Sequence, residues 1–215
     1  MNNILKYEND SLKVNELILN NNVKNNRLCH HRVKFLYMLR EAYGEKIKNY
    51  LEIGVHNGCS MSYVVQSQYK LDNCIGIDLF EETFYKDKLN KTDIYEFINN
   101  NNNSKSNIKL IKGNTRNKNI IKQVSNIKYD LIFIDGDHSY EGVKADFENY
   151  NNLLSDTGFI VFDDYNTSNN NKGVYKFINE LIKSNFYKYH YKYNDKYHKI
   201  NNYTDGIILF CNHSL

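Results

Sequence analysis

Residues 50–60 read YLEIGVHNGCS, and this stretch decides the fold. An apolar run of strand type carries the acidic Glu52 near its end and leads into two glycines four positions apart, Gly54 and Gly58. Ser60 follows where a helix would begin, and serine is a favoured N-cap. Glycines in such a turn let the backbone approach a ligand without a Cβ clash. The stretch predicts a strand, a ligand-binding turn and a helix, although a tight strand-to-helix connection without a ligand gives the same pattern.

Apolar runs of strand length recur along the chain and alternate with amphipathic stretches of helical length. The predicted strands are Tyr50–Ile53, Cys74–Ile77, Ile108–Ile111, Tyr129–Ile134, Phe159–Phe162, a segment around Phe186–Tyr193, and Gly206–Cys211. The predicted helices between them are Ser60–Tyr69, Thr92–Asn99, Lys118–Val124, Tyr140–Leu154 and Gly173–Lys183. This alternation is typical of a parallel sheet covered on both faces. No helix separates the last two strands, so one of them should pair antiparallel. The prediction is an α/β fold, a Rossmann-like, doubly wound, mostly parallel seven-stranded sheet with one antiparallel strand, plus N-terminal helices.

Two helices are predicted before this core, at Ser11–Asn20 and Arg27–Tyr43, the second ended by Gly44. The length of 215 residues suits a single domain. We therefore predict one domain over 1–215, with 1–45 as a helical cap segment and 46–215 as the core. His30 and His31 are interpreted as a helix-surface pair, and the Tyr- and Lys-rich segment 186–203 as an edge strand and hairpin.

Composition argues against several classes of protein. The formal charge is only +3 and the lysines are spread along the chain, so no nucleic-acid partner is expected. No segment approaches the roughly 20 apolar residues that cross a bilayer, and the N-terminus lacks the apolar run of a signal peptide. A cytoplasmic protein without a membrane partner is the expectation. The asparagine runs Asn99–Asn103 and Asn166–Asn171 are predicted to be loops.

The second strand indicates the class of ligand. It ends in Gly76-Ile77-Asp78, with Asp78 20 residues after Gly58, about where an acidic residue binds ribose hydroxyls in nucleotide-binding βαβ units. A nicotinamide dinucleotide needs a glycine where Glu52 stands and places its diphosphate on the helix N-terminus. A carboxylate there repels a diphosphate and suits a ligand that carries an ammonium and a sulfonium. S-adenosylmethionine is such a ligand.

Four segments, LEIGVHNGCS, GIDL, YDLIFIDGDHSYEGVKADFENY and LLSDTGFIVFDDY, resemble the class I S-adenosylmethionine-dependent methyltransferases. The closest likeness is to the small-molecule and sugar O-methyltransferase branch with IDGDHSY and FDDY signatures, and it covers about Tyr50 to Tyr165. The resemblance implies a set of cofactor-binding residues: Glu52, Gly54, Asn57, Gly58, Ser60, Asp78, Gly113 and Asn114. Many relatives carry Asp where Asn114 stands, but an asparagine can also hydrogen-bond an adenine edge.

Three carboxylates follow two strands that should be neighbours. Asp135 closes FID, and Asp163 and Asp164 close FDD. Crowded carboxylates raise one another's pKa, and a bound Mg²⁺ or similar divalent cation relieves the repulsion. In the metal-dependent O-methyltransferases that this chain resembles, the corresponding positions hold such an ion. The alternative is that Asp135 and Asp163 only cap the loops after their strands.

His138 is the predicted general base and Asp135 its catalytic neighbour three residues earlier. The resemblance places a Lys or His base at this position, and a neutral histidine with a pKa near 6.5 suits proton abstraction. A purely structural histidine on the loop is the alternative.

The sequence thus predicts an S-adenosylmethionine-dependent, divalent-metal-dependent O-methyltransferase that acts on a small-molecule hydroxyl. A sugar or sugar-bearing metabolite as acceptor follows from the resemblance, and so does a homodimer. The alternatives are a metal-independent methyltransferase and a non-catalytic module that binds the cofactor. A nicotinamide oxidoreductase is disfavoured by Glu52 and by the missing glycine triplet.

Overall fold

The computed structural model of the chain describes residues 1–22, 31–81, 90–165, 172–194 and 206–214. Its helices are α1 (Asn2–Leu5), α2 (Glu8–Asn22), α3 (Lys34–Tyr43), α4 (Cys59–Val65), α5 (Lys91–Asn100), α6 (Lys118–Val124), α7 (Tyr140–Tyr150) and α8 (Lys172–Lys183). Its strands are β1 (Asn49–Ile53), β2 (Asn73–Asp78), β3 (Ile108–Lys112), β4 (Tyr129–Ile134), β5 (Leu154–Phe162), β6 (Tyr189–Asn194) and β7 (Gly206–Cys211).

The strands form one seven-stranded sheet in the order β3-β2-β1-β4-β5-β7-β6. The pairs from β3 to β5 are parallel, and β7 runs antiparallel to both of its neighbours. This confirms the predicted Rossmann-like sheet and its single antiparallel strand. The chain leaves β1 toward β2 on one side and returns to β4 on the other, so the strand order reverses between β1 and β4. Ligands of such sheets bind beyond the carboxyl ends of the strands at this point.

Several element ends differ from the prediction. Helix α4 ends at Val65, not at Tyr69. The Ser67 hydroxyl accepts a hydrogen bond from the Tyr69 N–H, and this bond takes the place of a helical hydrogen bond to a backbone carbonyl. Helix α7 ends at Tyr150 and a 3₁₀ turn follows. Strand β5 begins at Leu154, five residues earlier than predicted, because Leu154 already pairs with Tyr129 of β4. The polar residues between Leu154 and Phe159 form an irregularity in the register, which hydrophobic periodicity does not show.

The predicted loop Asn99–Asn103 begins inside a helix, because α5 continues to Asn100. The turn then closes with the Asn101 side chain donating to the carbonyl oxygen of Phe97 over 2.8 Å. The other predicted loop, Asn166–Asn171, lies outside the described residues, as do Arg27–His30 and positions 195–203 of the predicted hairpin.

Each face of the sheet is covered by a hydrophobic cluster, because successive strand residues point to opposite faces. On one face, Phe35 and Met38 of α3 share a core with Tyr50 of β1 and Phe133 of β4. All four are 0% exposed, and each such burial contributes roughly 1.5–3 kcal/mol. On the other face, α7 and α8 cover β1, β4 and β5. The N-terminal helices therefore help to form the core against which the sheet packs.

In the described part of the chain, every helix is too short or too polar to cross a membrane.

Candidate active site

The carboxyl ends of the central strands lie level with one another. Ile53 pairs with Ile134, and Ile134 pairs with Phe162. The N–H of Asp135 donates to the carbonyl oxygen of Ile53 over 2.8 Å, and that of Asp163 donates to Ile134 over 3.1 Å. The residues that follow β1, β4 and β5 are therefore presented at one edge of the sheet, where the sequence predicted them.

Glu52 is fully buried one residue before the end of β1. The hydroxyls of Tyr50 and Ser60 donate to its two carboxyl oxygens. Burial raises the pKa of Glu52 to about 8, so the carboxyl is largely protonated at neutral pH. Its contacts join β1 to the first turn of α4, and they orient the turn that holds Gly54 and Gly58.

Asp78 has its carboxylate fixed by two backbone amides. The N–H of His56 donates to one oxygen over 2.8 Å, and the N–H of Phe80 donates to the other over 2.7 Å. Each oxygen keeps a further acceptor position. The carboxylate is thus held at the tip of β2 in a form that can accept hydroxyl hydrogens from a ligand.

The remaining predicted cofactor residues lie in the neighbouring turns. Asn57 accepts a hydrogen bond from the Cys59 N–H over 3.2 Å at the start of α4. The N–H of Gly113 donates to the carbonyl oxygen of Asp78 over 2.8 Å, so the turn after β3 lies beside the tip of β2. Asn114 is exposed and accepts from the Arg116 N–H over 2.9 Å.

His138 lies between two carboxylates. Its Nδ1 is 3.2 Å from Oδ2 of Asp164, and its Nε2 is 3.4 Å from Oδ1 of Asp135. One ligand atom from each of these three residues falls within 4.8 Å of the other two. The imidazole is partly exposed, whereas Asp164 is buried with a left-handed backbone at φ +57°. The predicted base and two of the predicted metal ligands therefore converge.

The charges of this cluster perturb one another. Burial, and then the charge of Asp163, raise the pKa of Asp135 to about 6 and that of Asp164 to about 7. The hydrogen bond to Asp135, opposed by burial and assisted by the nearby carboxylates, raises the pKa of His138 to about 9. The site carries an excess of negative charge, and His138 takes the imidazolium form at neutral pH.

The donor set fits a divalent cation. The carboxylates of Asp135 and Asp164 are oxygen ligands that Mg²⁺ or Mn²⁺ accept, and they lie together beside His138. The second oxygen of Asp163, Oδ2, is buried and has no hydrogen-bond partner among the described residues. This oxygen is therefore free to bind a cation.

Asp163 contacts an arginine that sequence reasoning missed. Nε of Arg32 donates to Oδ1 of Asp163 over 2.5 Å, and one terminal nitrogen of Arg32 donates to Oδ1 of Asp164 over 2.8 Å. Arg32 is buried and lies in a 3₁₀ turn before α3. Of the adjacent histidines predicted as a helix-surface pair, His30 lies outside the described residues and His31 lies in the same 3₁₀ turn as Arg32. Nothing in the local pattern separates Arg32 from an ordinary surface arginine.

The loop that carries His138 is built as a helix cap. The Ser139 hydroxyl accepts the N–H of Gly142 at the start of α7 over 3.0 Å, and Asp137 accepts the Ser139 N–H over 2.9 Å. The other oxygen of Asp137 pairs with Arg116 at 2.6 Å. The DGDHS sequence therefore ends β4, caps α7 and fixes the position of His138 between them.

A match to a known protein family covers the stretch of chain that contains most of these site residues. Residues 51–165 match a family profile described as a methyltransferase domain. The chain belongs to this family. The methyltransferase is 30% identical over 158 residues to an uncharacterized protein of Acanthamoeba polyphaga mimivirus, covering 73% of this chain and 69% of the viral protein.

Solved structures show the same fold over almost the whole methyltransferase. An O-methyltransferase from Bacillus cereus in complex with SAH matches with a TM-score of 0.60 and 20% identity, covering 93% of this chain and 88% of the other. The O-methyltransferase TomG from Streptomyces achromogenes, in complex with SAM, matches with a TM-score of 0.60 and 13% identity, covering 87% and 82%.

Proposed function

We propose that this methyltransferase transfers the methyl group of S-adenosylmethionine to a hydroxyl of a small molecule, with a divalent cation held by Asp135, Asp163 and Asp164. The observation that carries the proposal is the position of His138. Its imidazole lies between Asp135 and Asp164, and the backbone of Asp135 at the tip of β4 packs against Gly54 in the turn after β1.

The cofactor would lie along the tips of β1, β2 and β3. Asp78 would accept the ribose hydroxyls, and Gly113 with Asn114 would border the adenine. The turn containing Gly54, Asn57 and Gly58 would face the methionine part of the cofactor. The hydrogen bond from Ser60 to Glu52 would hold that turn in position. Two proteins that share the fold were solved with SAM or SAH, which supports this choice of cofactor.

The reaction would be an in-line displacement. The acceptor oxygen attacks the sulfonium methyl, the carbon–sulfur bond breaks, and the electron pair stays on sulfur as a neutral thioether. His138 in its neutral form takes the proton that the hydroxyl loses, and Asp135 orients the imidazole. A divalent cation bound there would lower the pKa of the acceptor hydroxyl and, by neutralising Asp135 and Asp164, favour the neutral form of His138.

A sugar or sugar-bearing metabolite is the proposed acceptor. This choice is supported by the IDGDHSY and FDDY segments, 134–140 and 162–165, through their resemblance to sugar O-methyltransferases. The partly exposed imidazole of His138 and the partly exposed carboxylate of Asp135 also suit a polar acceptor with several hydroxyls.

The test is methyl transfer from radiolabelled S-adenosylmethionine to a panel of sugars, sugar nucleotides and phenols, in Mg²⁺ and again in EDTA. We expect His138→Ala to lower turnover by about 100-fold or more while leaving the calorimetric affinity for S-adenosylhomocysteine unchanged. His190→Ala is the matched control, since His190 is an exposed histidine on the edge strand β6.

Each component of the proposal has its own contrary result. Full turnover in the His138 variant rejects the base, and activity unaffected by EDTA rejects the cation and leaves a metal-independent enzyme. Cofactor binding without transfer to any acceptor leaves a binding module. Failure to bind S-adenosylhomocysteine at millimolar concentration rejects the whole proposal.

A further inference from the structure

An arginine from the N-terminal segment lies inside the carboxylate cluster. Arg32 is 4% exposed, and it donates to two different carboxylates, Asp163 and Asp164, at 2.5 and 2.8 Å. Asp164 uses its other oxygen toward His138 at 3.2 Å. The guanidinium, this carboxylate and the imidazole therefore form a continuous chain of charged contacts at the tips of β4 and β5.

The charge of Arg32 is permanent, unlike that of His138. A buried guanidinium is disfavoured by the loss of water, but Asp163 and Asp164 outweigh this and raise the pKa of Arg32 above its ordinary value. With Asp135, Asp163 and Asp164 ionised and His138 neutral, as a bound cation would favour, the cluster holds three negative charges, of which Arg32 offsets one. The two that remain match the charge of one divalent cation.

The position of Arg32 is fixed by the core. The helix that follows it, α3, buries Phe35, Leu36, Met38 and Leu39 completely. The same helix carries a second buried arginine, Arg40, which donates to the backbone carbonyl oxygens of Ile47 and Tyr69. Burial lowers the pKa of Arg40 to about 10. The two arginines are similarly buried, but Arg32 donates to carboxylates and Arg40 donates to backbone carbonyl groups.

We propose that Arg32 is a positioning residue and the built-in counter-ion of this site: by fixing Asp163 and Asp164 and offsetting one negative charge, it sets how strongly the carboxylates bind a divalent cation. The inference rests on the proposed function, because it concerns the same site. It makes the N-terminal segment part of the methyl-transfer site, a role for Arg32 that the sequence does not predict.

The test is isothermal calorimetry with Mn²⁺ alone on the full chain, comparing the wild type with Arg32→Met, Arg32→Lys and Arg40→Met. Removing a unit positive charge a few ångströms from the bound ion should tighten Mn²⁺ binding by about tenfold or more in Arg32→Met. Arg32→Lys keeps the charge and should stay within about threefold of the wild type. Arg40→Met should lose thermal stability but keep the wild-type affinity for Mn²⁺, because Arg40 donates to the backbone carbonyl oxygens of Ile47 and Tyr69 and not to the carboxylate cluster.

The outcomes separate this inference from the proposed function. Equal Mn²⁺ affinity in the wild type and Arg32→Met overturns the counter-ion role, and so does an equal change in Arg40→Met. A wild type that binds no Mn²⁺ rejects the cation in the proposed function, yet Mn²⁺ binding gained in Arg32→Met would still support the counter-ion role; no binding by either protein overturns both.

A second measurement covers the case in which Arg32→Met does not fold. If Arg32 offsets carboxylate charge, then Asp163→Asn should restore folding and raise the melting temperature of Arg32→Met, because the double variant has lost one charge of each sign. Independent, additive losses of stability in the double-mutant cycle would show that Arg32 and Asp163 are not energetically coupled and would refute the proposal.

Discussion

A Cβ atom on Gly54 would lie 2.1 Å from the carbonyl oxygen of Asp135. Gly54 has φ +89°, a backbone conformation that residues with side chains rarely adopt. The glycine turn after β1 is therefore packed directly against the backbone at the tip of β4. The proposed cofactor turn and the proposed catalytic strand tip form one rigid unit, and a change at either must move the other.

Gly54→Ala tests this contact. The methyl group cannot fit without moving the backbone of Asp135, and the positive φ adds strain of about 1–3 kcal/mol. We expect a lower free energy of unfolding in urea and the loss of S-adenosylhomocysteine binding by calorimetry. Gly158→Ala is the control, since the atoms nearest to its added Cβ belong to the side chains of Leu154 and Ser155. Wild-type stability and affinity in Gly54→Ala would contradict the geometry.

Glu52 should make the stability of the protein depend on pH. Its folded pKa of about 8 lies above the ordinary value of 4.5, so the folded state holds the proton more tightly than the unfolded chain. The free energy of unfolding is then highest below pH 4.5 and falls as the pH rises to 8, by on the order of 4 kcal/mol.

Glu52→Gln removes this dependence while it keeps a polar group for Tyr50 and Ser60. Urea unfolding at pH 5, 7 and 8.5 should show the variant gaining stability relative to the wild type as the pH rises. Glu96→Gln, at an exposed position on α5, should follow the wild type at every pH. A difference between Glu52→Gln and the wild type that stays constant from pH 5 to 8.5 would show that the buried carboxyl is not the cause.

Asp78→Asn should weaken cofactor binding. Both carboxylate oxygens accept backbone N–H groups, from His56 and Phe80, and the amide of asparagine would point its own N–H at one of them. The turn loosens and one ribose acceptor is lost, which we expect to lower the affinity for S-adenosylhomocysteine by about tenfold or more. Asp72→Asn, which replaces an exposed aspartate just before the other end of β2, should bind normally. Equal affinities in the two variants would rule out Asp78 as a cofactor contact.

Gly173→Ala should damage catalysis although alanine favours helices. Gly173 lies in the first turn of α8, and a Cβ there would be 2.4 Å from the Tyr140 nitrogen and 2.5 Å from the His138 carbonyl oxygen. The loop that carries the proposed base must shift, so we expect turnover to fall about tenfold or more with cofactor affinity retained. Lys172→Ala at the neighbouring exposed position is the control. Unchanged turnover and a gain in stability from helix propensity would mean that the loop yields without moving His138.

The sheet could be predicted because its signals are local. Apolar runs such as Tyr129–Ile134 are read from consecutive residues, and the missing helix before Gly206–Cys211 predicted the antiparallel strand. The element ends were less accurate. Strand β5 starts early because Leu154 pairs with Tyr129 of β4, and α4 ends early because of Ser67. Both depend on contacts that the hydrophobic pattern does not record.

The residues after the strands could also be placed from the sequence. Parallel strands end at one edge of the sheet, so Asp78, Asp135 and Asp163 had to lie along the same edge once the fold was known. Their roles in binding and catalysis remain predictions. The sequence could not show that Glu52 is fully buried and accepts hydrogen bonds from the hydroxyls of Tyr50 and Ser60, nor that burial raises its pKa to about 8.

By itself the sequence determined the fold, the family and the strand ends at which chemistry is to be sought, because hydrophobic periodicity and turn residues act over short stretches of chain. Only the tertiary structure decided that Arg32 lies against Asp163, 131 positions away, and that Gly173 supports the loop of His138. Such contacts arise when helices pack on the sheet, and the energy of a buried charge or a missing Cβ depends on neighbours that local sequence does not specify.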